Sequence, residues 1–155
     1  MYYFGVFHSK LSYGITIWGS SSAAKNAFIM QKRVLRVLVG AGYREPCQPL
    51  FRRHKIMPLP SLYLYYALLE IYNQKDKLPS TTNLHSYNLR NCNLEIPKFR
   101  LTKSKKNYLD FNIFNILPNG VKQMNPKEFK RTIKNYLLMH CFYGRDEYLR
   151  SDFKL

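Results

Sequence analysis

LSYGITIWG, residues Leu11 to Gly19, holds two glycines, a tyrosine and the chain's only tryptophan, with no charge. A phosphate-cradling loop of the G-x-x-x-x-G-K-S/T kind needs lysine directly after its second glycine. Ser20 stands there instead, and Ile15, Ile17 and Trp18 are poor loop residues. A membrane span needs about 20 consecutive apolar residues, and the uncharged run from Leu11 to Ala24 is shorter and ends among serines. The β-branched residues of GITIW would suit a strand. The wider context points to a helix: Tyr3, Phe7, Leu11, Gly14 or Ile15, and Trp18 recur at three-to-four spacing, and Gly19 with three serines supplies a stop. The spacing predicts one helix over residues 2–18, with Gly14 letting a neighbour approach closely. This stretch is core.

The following segment, AAKNAFIMQKRVLRVLVGAG, predicts a helix over 24–39. Serines 20–22 are its candidate caps and Gly40 or Gly42 its stop. Ala27, Phe28, Met30, Val34, Leu35 and Leu38 form the expected apolar face, and Lys25, Lys32, Arg33 and Arg36 the opposite one. No acid precedes Glu45, so this basic face lacks the mixed signs that make i,i+4 pairs on a solvated helix. CQPLFRRHKI then reads as a short helix or loop carrying Arg52, Arg53 and Lys55. SLYLYYALLEIYNQ predicts a helix over 60–75 that is apolar nearly all round; its tyrosines read as buried rings with hydroxyls at the rim. Residues 78–106 shift to Asn, Ser, Thr, Lys and Pro with little period and read as a basic irregular linker. YLDFNIFNIL predicts a helix over 107–117. The last helix, 126–141, opens on Asn125 as cap, Pro126 in the first turn and Glu128 three after the cap, with Met124 placed to staple onto Phe129.

The composition bounds the company this chain keeps. In 155 residues, 25 Lys and Arg face 9 Asp and Glu, a formal charge of +16. Such a surface attracts polyanions, nucleic acid first and an acidic membrane surface second. The three cysteines are far apart, no C-x-x-C occurs, and the histidines complete no zinc spacing. The expectation is therefore no metal, no cofactor, reduced thiols and an intracellular chain, nuclear or cytoplasmic. Met1–Phe7 is apolar, but no basic segment precedes it and His8 and Lys10 interrupt it, so neither a signal peptide nor a transmembrane helix is expected.

Enzymatic chemistry is missing from the pattern. Two-metal phosphoryl transfer needs carboxylates that hold cations about 4 Å apart, and the acids here are scattered. The one adjacent pair, Asp146-Glu147, sits in a tail without a turn or strand pattern. No serine lies in a nucleophile elbow. No catalytic residue is assigned.

Taken in order, LSYGITIWG, the serine-rich gap, MQKRVLRVLVG and CQPLFRRHKIMPLPSLY resemble the region that follows the catalytic palm in reverse transcriptases of non-LTR, jockey-like retrotransposons. YNLRNCNLEIPKFRLTKSKKNYLDFNIFNILPNGVK and the later FKRTIKNYLL and FYGRDEYL are similar to the C-terminal tail of the same polyproteins, so the resemblance covers nearly the whole chain. It implies a mainly α architecture: a small helical, thumb-like bundle over 1–77, the linker 78–106, and a helical tail over 107–155. It implies a truncated fragment of an RNA-directed DNA polymerase, without the F/Y-x-D-D palm motif and so not an enzyme, whose partners are a palm and fingers outside this chain and a template–primer duplex. The positions it carries over as backbone contacts are Gln31, Lys32, Arg33 and Arg36 in QKRVLR, and Arg52, Arg53 and Lys55 in FRRHKI. Lys25 joins them from the basic face. Two other expectations stand beside this one: a remnant without a present biochemical role, and a basic, aromatic-rich module for a membrane surface or protein partner.

Overall fold

The computed structural model describes residues 3–78, 93–96, 109–151 and 153. Among these every regular element is helical and no strand occurs, while the short piece 93–96 is non-helical. Most of the expected linker lies outside the described residues. A π-helical turn, Tyr3–His8, leads into α1 (Ser9–Ser12) and α2 (Ile15–Trp18). α3 (Ala24–Val39), α4 (Cys47–Arg53) and α5 (Leu59–Gln74) follow. After a 3-10 turn at Lys75–Lys77 come α6 (Leu109–Asn115), α7 (Asn119–Lys122), α8 (Pro126–His140) and α9 (Arg145–Arg150).

The first expected helix is broken. Ser9 and Ser12 hydroxyls donate back to the Gly5, Val6 and Ser9 carbonyls, a local competition that bends helices. Tyr13 then turns extended and Gly14 takes a left-handed conformation at φ 58°, which glycine adopts without steric cost. The Trp18 indole N–H closes the kink on the Tyr13 carbonyl at 2.9 Å. Close approach occurs at Gly19, not at Gly14 as expected. A Cβ on Gly19 would stand 2.5 Å from the Ile15 carbonyl oxygen and 2.7 Å from Tyr63 Cδ2.

α3 begins and ends where the sequence places it, for partly different reasons. No serine side chain caps it; the Ser21 and Ser22 carbonyls take the Ala24 and Lys25 amides in preceding turns. Gly40 at φ 65° stops it, with the Ala41 amide reaching back to the Arg36 carbonyl at 2.9 Å. The buried face runs through Ala24, Gln31 and Leu35, flanked by half-buried Ala27, Phe28, Val34 and Val39. Met30 and Leu38, expected inside, are about half exposed, at 49% and 51%.

Gln31 is fully enclosed, at 0% exposure. Its amide nitrogen donates to Tyr3 Oη at 2.7 Å and to the Met57 carbonyl at 2.8 Å. Its oxygen accepts the Leu59 amide at 2.7 Å. One side chain thereby joins the N-terminal turn, α3 and the entry to α5.

α5 is the central helix. Leu62, Leu64, Ala67, Leu68 and Ile71 are buried in one cluster with Phe111, Ile113, Phe114, Phe129, Ile133, Leu137 and Tyr148. Tyr72 stacks on Phe129 with ring centroids 4.0 Å apart, and its hydroxyl donates to the Met124 carbonyl. The Ser61 hydroxyl reaches the Phe142 carbonyl at 3.0 Å. The segments expected as a thumb-like unit, 1–77, and as a tail, 107–155, thus share one hydrophobic core, because a helix apolar on nearly every side needs cover from both. α8 opens as its sequence indicates, with Asn125 Oδ1 accepting the Glu128 amide at 2.9 Å. The Arg145–Arg150 stretch, read as a tail, is helical because Tyr148 buries itself in that core.

Two substitutions test this packing by urea unfolding. Gln31→Leu orphans the Leu59 amide, the Met57 carbonyl and Tyr3 Oη, and should lower stability by about 3 kcal/mol, read as a lower midpoint at unchanged slope. Gly19→Ala forces Tyr63 and the Ile15 carbonyl aside and should cost about 1–3 kcal/mol. An unchanged midpoint in either variant would refute its role.

Candidate nucleic-acid interface

The candidate cations come from α3, α4 and the turn after α4, and the structure divides them. Lys25, Lys32 and Arg36 fall along one side of α3, at i, i+7 and i+11, a strip of about 16 Å at 1.5 Å per residue. This strip borders the buried face rather than opposing it, so Lys32 and Arg36 are half-buried while Lys25 and Arg33 are exposed. The side opposite the buried face carries the exposed Met30 and Val37, the latter at 81%.

Three candidates hold the fold. The Arg36 guanidinium grips the Glu45 carbonyl through Nε at 3.0 Å and Nη2 at 2.9 Å, bracing the loop between α3 and α4. Arg52 Nη2 donates to the His140 carbonyl at 3.0 Å and ties α4 to the end of α8. The Lys32 ammonium lies over the Phe28 ring at 4.6 Å and the Tyr143 ring at 5.7 Å, a cation–π contact that fixes its place in the strip. Gln31 has both its amide donors and its oxygen engaged inside the protein, as above, and has no surface to offer a phosphate.

The others face solvent. Lys25, Arg53 and Lys55 are exposed, and among the described residues no hydrogen bond or ion pair engages them. Arg33 is exposed too, with only a 3.9 Å contact to Met30 Sδ. Lys55 sits at φ 52°, a left-handed conformation uncommon for lysine, where the chain turns sharply from α4 toward α5. A further basic face, Lys127, Lys130, Arg131 and Lys134, is exposed along α8; the sequence marks it as basic, and it lies on a different helix from the strip.

Behind the strip, the Tyr143 ring packs edge-on against Phe28 and Phe51, at 5.0 and 6.2 Å between centroids. Its hydroxyl is shielded from solvent and has no hydrogen-bond partner. Burial pushes this phenol up to about 12, with the neighbouring Cys47 and Cys141 thiols adding to the shift. Cys47 and Cys141 are themselves free and buried, and burial raises the Cys141 thiol. Among the described residues no group of three or more His, Cys, Asp or Glu is arranged to hold a metal ion. Also among them, no helix is long and apolar enough to cross a membrane.

No family model, curated protein or solved structure matches this chain.

Tyr143→Phe isolates the orphaned hydroxyl. Near neutral pH the variant should be more stable by about 1 kcal/mol, because a buried donor without a partner is removed. The sign at alkaline pH follows from the raised value. The folded state keeps a proton that the unfolded state releases near the ordinary 10.0, so the wild type loses stability as pH rises from there through about 12. Tyr143→Phe should flatten that decline; an identical alkaline decline in both proteins would show the phenol to be normally hydrated.

Proposed function

We propose that this chain binds the backbone of duplex nucleic acid without sequence preference, as the thumb and post-thumb part of a reverse-transcriptase-like protein. The observation that carries this reading is the cationic strip on α3. Lys25, Lys32 and Arg36 fall along it, with Arg33 exposed on the neighbouring face, in a segment where no acid precedes Glu45. Phosphate contacts position a protein on a duplex without reading its bases, which suits a helix that lays lysines and arginines along a backbone. The exposed Met30, Val37 and Leu38 on the same helix support the parent-protein part of the reading, since a palm domain would cover apolar surface there.

Those same apolar residues favour a second reading, in which α3 lies on an acidic membrane surface with its cations at the headgroups. Binding to anionic vesicles in preference to an RNA–DNA duplex would select it.

The test uses cations that hold nothing else together. Each phosphate neutralised adds roughly 0.9 to the slope of log affinity against log salt for B-form DNA. Replacing Lys25, Arg33 and Arg53 with glutamine should flatten that slope by about two to three and weaken all sequences alike. Replacing Lys127, Lys130 and Arg131 instead should leave the slope nearly unchanged. Equal losses in the two triple variants would reduce the effect to net charge and end the site assignment.

A further inference from the structure

A cleft of about 760 Å³ opens beside Lys25, where α2, the start of α3, the start of α5 and residues 143–146 meet. Phe28, Pro60, Tyr63 and Tyr143 line it, and the two phenylalanine and tyrosine rings at positions 28 and 143 meet edge to face. Pockets of this size with apolar, aromatic walls and a few polar groups suit a small organic ring. The charged groups around it are Lys25 and Arg145 against Asp110 and Asp146. In a chain of net charge +16 the cleft is therefore close to neutral. A bare phosphate gains little from a balanced site, whereas a flat heterocycle with both donors and acceptors on its edge gains from each member of the pair.

The polar groups are suitably held for such an edge. Tyr63 Oη donates to the Asp110 carboxylate, at 2.7 Å to one oxygen and 2.9 Å to the other. A carboxylate has lone pairs beyond those, so Asp110 is fixed in place with acceptor capacity to spare. Among the described residues no hydrogen bond or ion pair occupies the Arg145 guanidinium. A carboxylate accepts from an exocyclic amino group and a guanidinium donates to ring nitrogens or carbonyls. Aromatic walls stack bases of any sequence.

We infer that this cleft receives one unpaired nucleobase bearing an exocyclic amino group, its edge met by Asp110 and Arg145. Lys25, on the rim of the cleft and within the cationic strip, holds the phosphate of that nucleotide. The inference rests on the nucleic-acid reading above and extends it from backbone to base.

The experiment compares three RNA–DNA duplexes: blunt, ending in one unpaired fluorescent aminopurine, and ending in one abasic nucleotide. The intact chain should bind the aminopurine end at least about five-fold tighter than the other two, a gain set by stacking one base, with quenched fluorescence. Asp110→Asn keeps an acceptor for Tyr63 but turns the second carboxylate oxygen into an amide donor, and should lower that ratio at least about two-fold while blunt-end binding persists. Equal affinity for all three duplexes overturns the inference, as does an unchanged ratio in Asp110→Asn. If no duplex binds, the backbone reading fails separately, and aminopurine nucleoside alone then judges the cleft. Saturable quenching that Asp110→Asn weakens supports a base site. Absence of quenching, or equally strong competition by tyrosine amide, overturns it.

Discussion

The fold depends on one buried side-chain amide. Gln31 stands in the middle of the longest N-terminal helix, enclosed on all sides, and its three hydrogen bonds reach Tyr3, Met57 and Leu59. Each of those groups would otherwise be a polar atom stranded in apolar surroundings, and the low local dielectric makes such a stranded atom expensive. The geometry is correspondingly exacting: the N-terminal turn and the Pro58 bend must arrive together for the amide to be satisfied. Leu59 and Pro60 then start α5 at a fixed angle to α3. The position of every helix that packs on α5 descends from that junction.

Much of the helical layout was legible, because its signals are local. Gly40 at the end of α3, and Asn125 and Pro126 at the start of α8, act within one turn of chain, and the structure uses them as the sequence suggests. The burial of Tyr63 and Tyr72 on α5 was legible too: a helix so rich in apolar letters has little solvent side to give them. What failed to show were distinctions that exist only between distant segments. A glutamine beside Lys32 and Arg33 looks like surface, and nothing nearby in sequence announces that Tyr3 and Met57 will need it. The apolar face of α3 is consequently rotated from its expected setting, leaving Met30 and Leu38 half outside. Gly14 and Gly19 look alike as letters; only the position of Tyr63 separates a turn glycine from a packing glycine.

The candidate site was legible as charge and not as geometry. Counting cations identifies the strip, but a count gives Arg36 and Lys25 equal weight. In the folded chain Arg36 spends two donors on a backbone carbonyl and Arg52 one, so both act as struts, while Lys25, Arg33, Arg53 and Lys55 keep their charge at the surface. Carbonyl oxygens take the place that carboxylates fill in proteins with more acids. With 9 acids to 25 Lys and Arg, backbone oxygen is the more abundant acceptor. The cleft beside Lys25 was hidden for the same reason as Gln31: Phe28, Tyr63, Asp110 and Arg145 come from four separate stretches.

The covering of α5 from both sides also sets an order of events during synthesis. A ribosome releases residues at roughly 5–20 per second, so α5 emerges some seconds before α6 and α8. In that interval Leu62, Leu68 and Ile71 have only the N-terminal half of their cover, and the Tyr63 and Tyr72 hydroxyls have neither Asp110 nor the Met124 carbonyl. The nascent chain passes through a stage in which its most apolar helix is open to chaperones and to other nascent chains. That stage closes only when Phe129 and Tyr148 have left the exit tunnel.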